Sequence, residues 1–264
     1  MRKKTETILL SIFLLAFILF SIIIIKWYHA GIKNKVLIED IKGISAQVTD
    51  DEVETFCHDN SIISLDSLQE EQERIRLFLA SHPLKELNSD YIGWIQIPDT
   101  NIDYPVLQNM EDPDFYLKRD FNKDINSHGS IYLDSTCITE YSKNSVIYGH
   151  HMKDGSMFAD LDNYKTMEYY LTHDSIRFDT LYNMHDYQIV AVLKVPEKDL
   201  EKTSSFLLLE TEEKFNSFKD FVSSYQLYET GTTFTYEDSF LTLITCEYTY
   251  KNGRILVIAK MIQD

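Results

Sequence analysis

The sequence predicts a mainly β fold. Eight strands close into a barrel or pack as a sandwich, with helices ahead of them and one helix in the long connection before the penultimate strand. Three observations predict it. From Tyr91 onward the chain breaks into short apolar runs separated by turn signals. Val, Ile, Tyr, Phe and Thr dominate those runs, and these residues suit a pleated, half-buried surface. Ahead of Tyr91, by contrast, Leu68, Ile75, Phe78 and Leu79 share one face at helical spacing.

The first element is apolar throughout. Thr7 to Ile25 is interrupted only by Ser11 and Ser21, with no charge between Glu6 and Lys26. Those nineteen residues, at about 1.5 Å rise each, come close to spanning a hydrocarbon core of roughly 30 Å. Arg2, Lys3 and Lys4 precede the run, so the positive-inside rule keeps the N-terminus cytoplasmic and sends the remainder outside. Trp27 and Tyr28 follow at the interfacial position. A cleaved signal peptide is the rival reading. The run exceeds the usual apolar region of such peptides and no A-x-A-like site follows it, which favours an uncleaved signal anchor. The expected organisation is a cytoplasmic tail at 1–6, an anchor at 7–26, a stalk at 27–60 and an extracytoplasmic catalytic domain at 61–264.

The stalk is polar and acidic (Asp50, Asp51, Glu52, Glu54) with room for one short helix. Ser67-Leu68-Gln69-Glu70 offers a capping box for the next helix, and Pro83 is expected to close it. The strands are then expected at 91–97, 102–107, 130–133, 145–150, 175–178, 187–195, 240–246 and 254–261, with Pro98-Asp99, Asn126 and Gly129 marking breaks. Between Val195 and Phe234, Thr211 caps a helix whose face carries Phe215, Phe218, Val222 and Tyr225. A connection that long in a compact domain usually serves function, most often as a substrate-binding wall.

Composition narrows the partners. A formal net charge of −17 over 264 residues argues against nucleic acid and against a domain drawn onto anionic lipid by charge. Three cysteines, Cys57, Cys137 and Cys246, make no disulfide framework. The residues offer no cluster with zinc-ligand spacing, and adjacent strand histidines point to opposite faces, so neither a metal nor a cofactor is expected.

Three segments carry chemistry. Phe240-Leu241-Thr242-Leu243-Ile244-Thr245-Cys246 puts a thiol at the end of an apolar strand. Arg254 opens the next strand, and Asn144-Ser145-Val146-Ile147-Tyr148-Gly149-His150 ends a third in a glycine and a histidine. Each residue also has an ordinary reading, as a buried strand cysteine, a satisfied histidine and a solvated arginine. Together they supply what acyl transfer needs. A thiol requires a nearby positive charge to favour the thiolate, an imidazole moves protons, and a guanidinium offers fixed donors to an oxyanion. Of the two adjacent histidines, His150 is favoured over His151 because Gly149 lets the backbone approach closely there.

These segments together resemble the sortase family. The T-L-x-T-C signature stands as Thr242-Leu243-Ile244-Thr245-Cys246, the strand-end histidine as Tyr148-Gly149-His150, and the arginine as Arg254. Asp90-Tyr91-Ile92-Gly93-Trp94, the run Thr100 to Gln108, and the run His150 to Phe158 are similar to class B members. The likeness extends from about Asn88 to the C-terminus.

The resemblance implies a closed eight-stranded barrel and a membrane-held cysteine transpeptidase of Gram-positive bacteria. Such an enzyme cleaves a C-terminal sorting motif in secreted proteins and joins the new acyl end to an amine of peptidoglycan or its lipid-linked precursor. It implies Cys246 as nucleophile, His150 as acid and base, and Arg254 as oxyanion or substrate clamp. Leu117, Thr245 and Glu247 are the implied peptide contacts. Tyr248 stands where some members carry an acidic residue, and the interval from Cys246 to Arg254 is shorter than in some class B members. A catalytically inactive scaffold on the same barrel and a purely hydrolysing cysteine protease are the alternatives.

Overall fold

The structure, a computed structural model, describes residues 2–46, 48–49, 52–53, 55, 68–196, 198–200, 209–247 and 253–262. Eight strands form a closed barrel in which the chain visits β1 (Tyr91–Gln96), β2 (Asp103–Leu107), β3 (Ile131–Leu133), β4 (Asn144–Tyr148), β5 (Ser175–Thr180), β6 (Asp186–Val195), β7 (Phe240–Glu247) and β8 (Gly253–Met261). Around the barrel the order is β1-β2-β3-β4-β7-β8-β6-β5. The β2–β3 and β4–β7 pairs are parallel and the others antiparallel. All eight expected strands form, and the barrel, rather than the sandwich, is the closure they reach.

Closure removes every sheet edge, so each strand finds hydrogen-bond partners on both sides. The alternation along β5, where Ile176, Phe178 and Thr180 are buried and their neighbours are not, packs the interior. The main core joins Ile95, Val106, Ile147, Ile189, Leu193, Leu243 and Val257 to the helix of the long connection. That helix, Glu212–Tyr225, follows its Thr211 cap, whose side chain accepts from the Lys214 amide. Phe215, Phe218, Phe221 and Val222 bury its face, and Phe234 and Phe240 stack against it. Phe221 joins the expected face, while Tyr225 is only partly covered.

The N-terminal region differs from expectation in two places. First, the helix α1 (Arg2–Ser45) runs unbroken from the apolar segment into the expected stalk. Its last turns dock on the barrel, with Ile41 only 2% exposed and Lys42 paired to Asp103 at 2.8 Å. Residues 31–45 therefore form part of the folded body, because Leu37, Ile38, Ile41 and Ile44 supply an apolar stripe that the polar composition hides. Second, Pro83 lies inside helix α2 (Leu68–Leu87) and does not end it. A proline forfeits one amide hydrogen bond, but Leu84, fully buried in the cluster with Ile41 and Tyr91, holds the following turn in place. The expected capping serine, Ser67, lies outside the described residues.

Candidate active site

The barrel topology gathers the three chemical segments at one end. Parallel pairing of β4 with β7 sets Tyr148 against Ile244, so the residues that follow each, Gly149-His150 and Thr245-Cys246, leave the barrel at the same level. The Gly149 amide donates to the Ile244 carbonyl at 3.2 Å, and the Thr245 hydroxyl donates to the Gly149 carbonyl at 2.9 Å. Antiparallel pairing of β7 with β8 then brings Arg254 directly opposite Cys246. With β7 held between two neighbours, its end is a rigid platform.

Gly149 is required at its position. A side chain there would press its first carbon to 2.5 Å from the Ile131 methyl and 2.7 Å from the Phe158 ring. Without one, β4 ends tightly and His150 turns into the groove. His150 lies two residues beyond the end of β4, outside the strand expected to contain it. Its carbonyl accepts from the Phe158 amide at 2.8 Å. Its Nε2 lies 2.7 Å from the Leu117 carbonyl. A carbonyl can only accept, so Nε2 carries a proton and Nδ1 is the ring nitrogen left to take up or release one. His151 turns elsewhere, with Nδ1 3.1 Å from the backbone carbonyl of Cys246.

A groove of about 350 Å³ holds Cys246, His150 and Arg254 together. Cys246 is a half-buried free thiol, whereas Cys137 is sealed in the core and burial pushes its thiol up to about 11. Cys57 lies outside the described residues. The Arg254 Nη1 donates to the Gly253 carbonyl at 3.0 Å, which helps orient the guanidinium. Two of the expected peptide contacts, Leu117 and Thr245, line the groove. Leu117 sits on the short 3₁₀ turn Phe115–Lys118, and Thr245 is almost wholly buried with its hydroxyl committed to Gly149. Glu247 occupies the last rung of the ladder, opposite Gly253, and its side chain lies outside the described residues.

Sequence reading missed the groove's floor. Tyr132 and Tyr148 are cross-strand partners on β3 and β4, with ring centroids 5.4 Å apart, and both line the groove with Asp114, Asp134 and Ile244. The Tyr148 hydroxyl donates to Asp134 Oδ2 at 3.0 Å. Burial and the charge of Asp134 push the Tyr148 proton affinity far above the ordinary tyrosine range. The other Asp134 oxygen accepts from the amide and hydroxyl of Thr136, at 2.9 and 2.7 Å. Two aromatic residues in two separate strands were the available signal, but only pairing shows that they meet.

The Sortase domain family model matches residues 95–262, well over half of the chain. The chain belongs to the sortase family. This sortase is 35% identical over 186 residues to Sortase B of Listeria monocytogenes, an alignment covering 68% of the chain and 72% of that protein. It is 32% identical over 199 residues to Sortase B of Staphylococcus aureus, covering 74% and 79%. Among solved structures, it superposes on sortase B from Bacillus anthracis in complex with AAEK1 with a TM-score of 0.70 and 26% identity, over 90% of the chain and all of that one. The Staphylococcus aureus sortase B–substrate complex gives a TM-score of 0.67 and 25% identity, over 88% and 97%. The sortase is thus of class B and a cysteine transpeptidase, and the scaffold and protease alternatives are not favoured. Sorting-motif substrates and a cell-wall amine acceptor follow from the family.

Proposed function

We propose that Cys246 is the nucleophile, His150 the acid and base and Arg254 the oxyanion clamp of a transpeptidase acting on secreted surface proteins. The observation that carries this reading is the single groove in which β4, β7 and β8 end together. Cys246 gives its thiol proton to His150 Nδ1, the thiolate attacks the carbonyl carbon of the scissile peptide bond, and the Arg254 guanidinium donates to the oxyanion that forms. The C–N bond then breaks, His150 hands a proton to the departing amine, and a thioester remains on Cys246. The acceptor amine attacks the thioester, His150 takes its proton, and the C–S bond breaks to release the joined product. His150 Nδ1 is the nitrogen that exchanges protons, since Nε2 is held by the Leu117 carbonyl. Leu117, Thr245 and Glu247 are assigned as peptide contacts, Leu117 and Thr245 on the strength of their place in the groove.

The acceptor is an amine of peptidoglycan or of its lipid-linked precursor, and the enzyme works outside a Gram-positive cell. Helix α1 supports the location. It is the one described helix long and apolar enough to cross a membrane, and its exposed face from Leu10 to Ile25 is almost entirely Leu, Ile and Phe. The lysines and arginine at residues 2–4 orient it with the N-terminus in the cytoplasm as a single-pass anchor. Thiol-protease chemistry, release of the acid by water, is the side reaction when no amine is present.

Mass spectrometry of products from a panel of sorting-motif peptides, with the full chain in detergent micelles, tests this reading. Amide product in the presence of a peptidoglycan-type amine, and a Cys246 acyl adduct in its absence, are expected. Turnover by Cys246→Ala, or free acid alone at saturating amine, refutes it.

A further inference from the structure

Tyr132 sits at the middle of β3, on the outer face of the barrel, packed with Leu107, Tyr116 and Phe121. It is only 7% exposed, yet it lines the catalytic groove. Its hydroxyl finds no hydrogen-bond partner among the described residues. The neighbouring tyrosines differ. Tyr148 donates to Asp134, and the Tyr116 hydroxyl is shared between Asn88 and Asp90. The residue is buried while its hydroxyl is left without a partner among the described residues beside the groove, which makes it a donor available to a ligand there.

The surroundings say what that partner is. The charges of Asp114, Asp134, Arg254 and Cys246 all reach the Tyr132 hydroxyl, which places it amid the reacting groups. Burial, reinforced by the two carboxylates, pushes its proton affinity well above the tyrosine norm, so it is a donor and never a base. Asp134 does not take that hydrogen bond: its side-chain oxygens accept from Thr136 and Tyr148. An anionic acceptor would be repelled by the same carboxylates. A neutral peptide carbonyl is the group that fits.

We propose that the Tyr132 hydroxyl is a substrate-binding donor, giving a hydrogen bond to a backbone carbonyl of the sorting peptide as the scissile bond is brought to Cys246. This rests on the assignment of Cys246 as nucleophile. The donor acts in formation of the thioester and not in its resolution by the amine.

Tyr132→Phe removes one oxygen and no bond present in the free protein. In the full chain in micelles, with a sorting-motif peptide, the acylation rate and kcat/KM are expected to fall about tenfold, the value of one neutral hydrogen bond. Tm is expected to hold, and the division of product between amide and acid should stay as in the parent. Tyr148→Phe serves as the structural control, expected to lower Tm by stranding an Asp134 oxygen. A Tyr132→Phe acylation rate within twofold of the parent overturns the proposal. So does a loss matched by a drop in Tm like that of Tyr148→Phe, or a changed amide-to-acid ratio with acylation intact. Cys246→Ala is run alongside. If it is dead while Tyr132→Phe is normal, the tyrosine assignment alone fails; if it turns over, the nucleophile assignment fails first.

Discussion

Cys246 and Arg254 are register partners across the β7–β8 ladder, facing one another on adjacent strands. Directly opposed residues of an antiparallel pair hold their Cβ atoms about 4.5–5.5 Å apart whatever the turn between them does. The short interval between the two is therefore harmless. The ladder, not the connecting turn, sets the distance from thiol to guanidinium, and turn length is free to differ among relatives.

That register makes arginine's shape matter. Arg254→Lys keeps the charge but loses the planar fork of donors. A fall in kcat/KM of roughly 100- to 1,000-fold is expected, the range for losing one oxyanion donor. Steady-state kinetics with a quenched sorting peptide checks it, and near-parent rates would reduce Arg254 to a surface charge.

The two histidines separate cleanly. His150→Ala should lower kcat by roughly 100- to 10,000-fold, the usual contribution of a positioned acid–base group. His151→Ala removes the contact to the Cys246 carbonyl and leaves Cys246, His150 and Arg254 in place, so it should stay within about tenfold of the parent, near the value of one hydrogen bond. The same assay run on both variants decides, and a reversed order would exchange their roles.

The cysteines should differ in reactivity. Cys246 is half-buried at the groove, while Cys137 is fully enclosed and its thiol is pushed up to about 11 by burial. In a Cys57→Ser background, iodoacetamide at neutral pH should modify Cys246 alone, read by peptide mapping. Modification of native Cys137 at a comparable rate would contradict its enclosure.

The end of helix α1 is packed into the folded body. Ile41→Ala should destabilise the folded domain by about 2–5 kcal/mol, the range for truncating a buried isoleucine. Denaturant unfolding of the full chain in micelles measures it. An unchanged midpoint would mean that residues 31–45 do behave as a detached stalk.

Much of this enzyme was readable from the chain alone. Strand alternation placed all eight strands within three residues at either end. Phe215, Phe218 and Val222 marked the helix of the long connection. The three residues of the groove stood out because Cys246, His150 and Arg254 each lie at or just beyond a strand end with a short motif around them. Leu37 to Ile44 was not, since four apolar residues among lysines and acids look like a solvated linker until a partner surface exists.

Local periodicity encodes which face of an element is apolar and short motifs carry the family, and so the sequence by itself determined the elements and the family. It cannot encode which distant strand a given strand meets, because pairing is decided by burial summed over the whole barrel. Only the tertiary structure set β4 parallel to β7, laid Tyr132 against Tyr148, and turned the Leu117 carbonyl toward His150. That last group is a backbone atom common to every residue, with no letter of its own in the sequence.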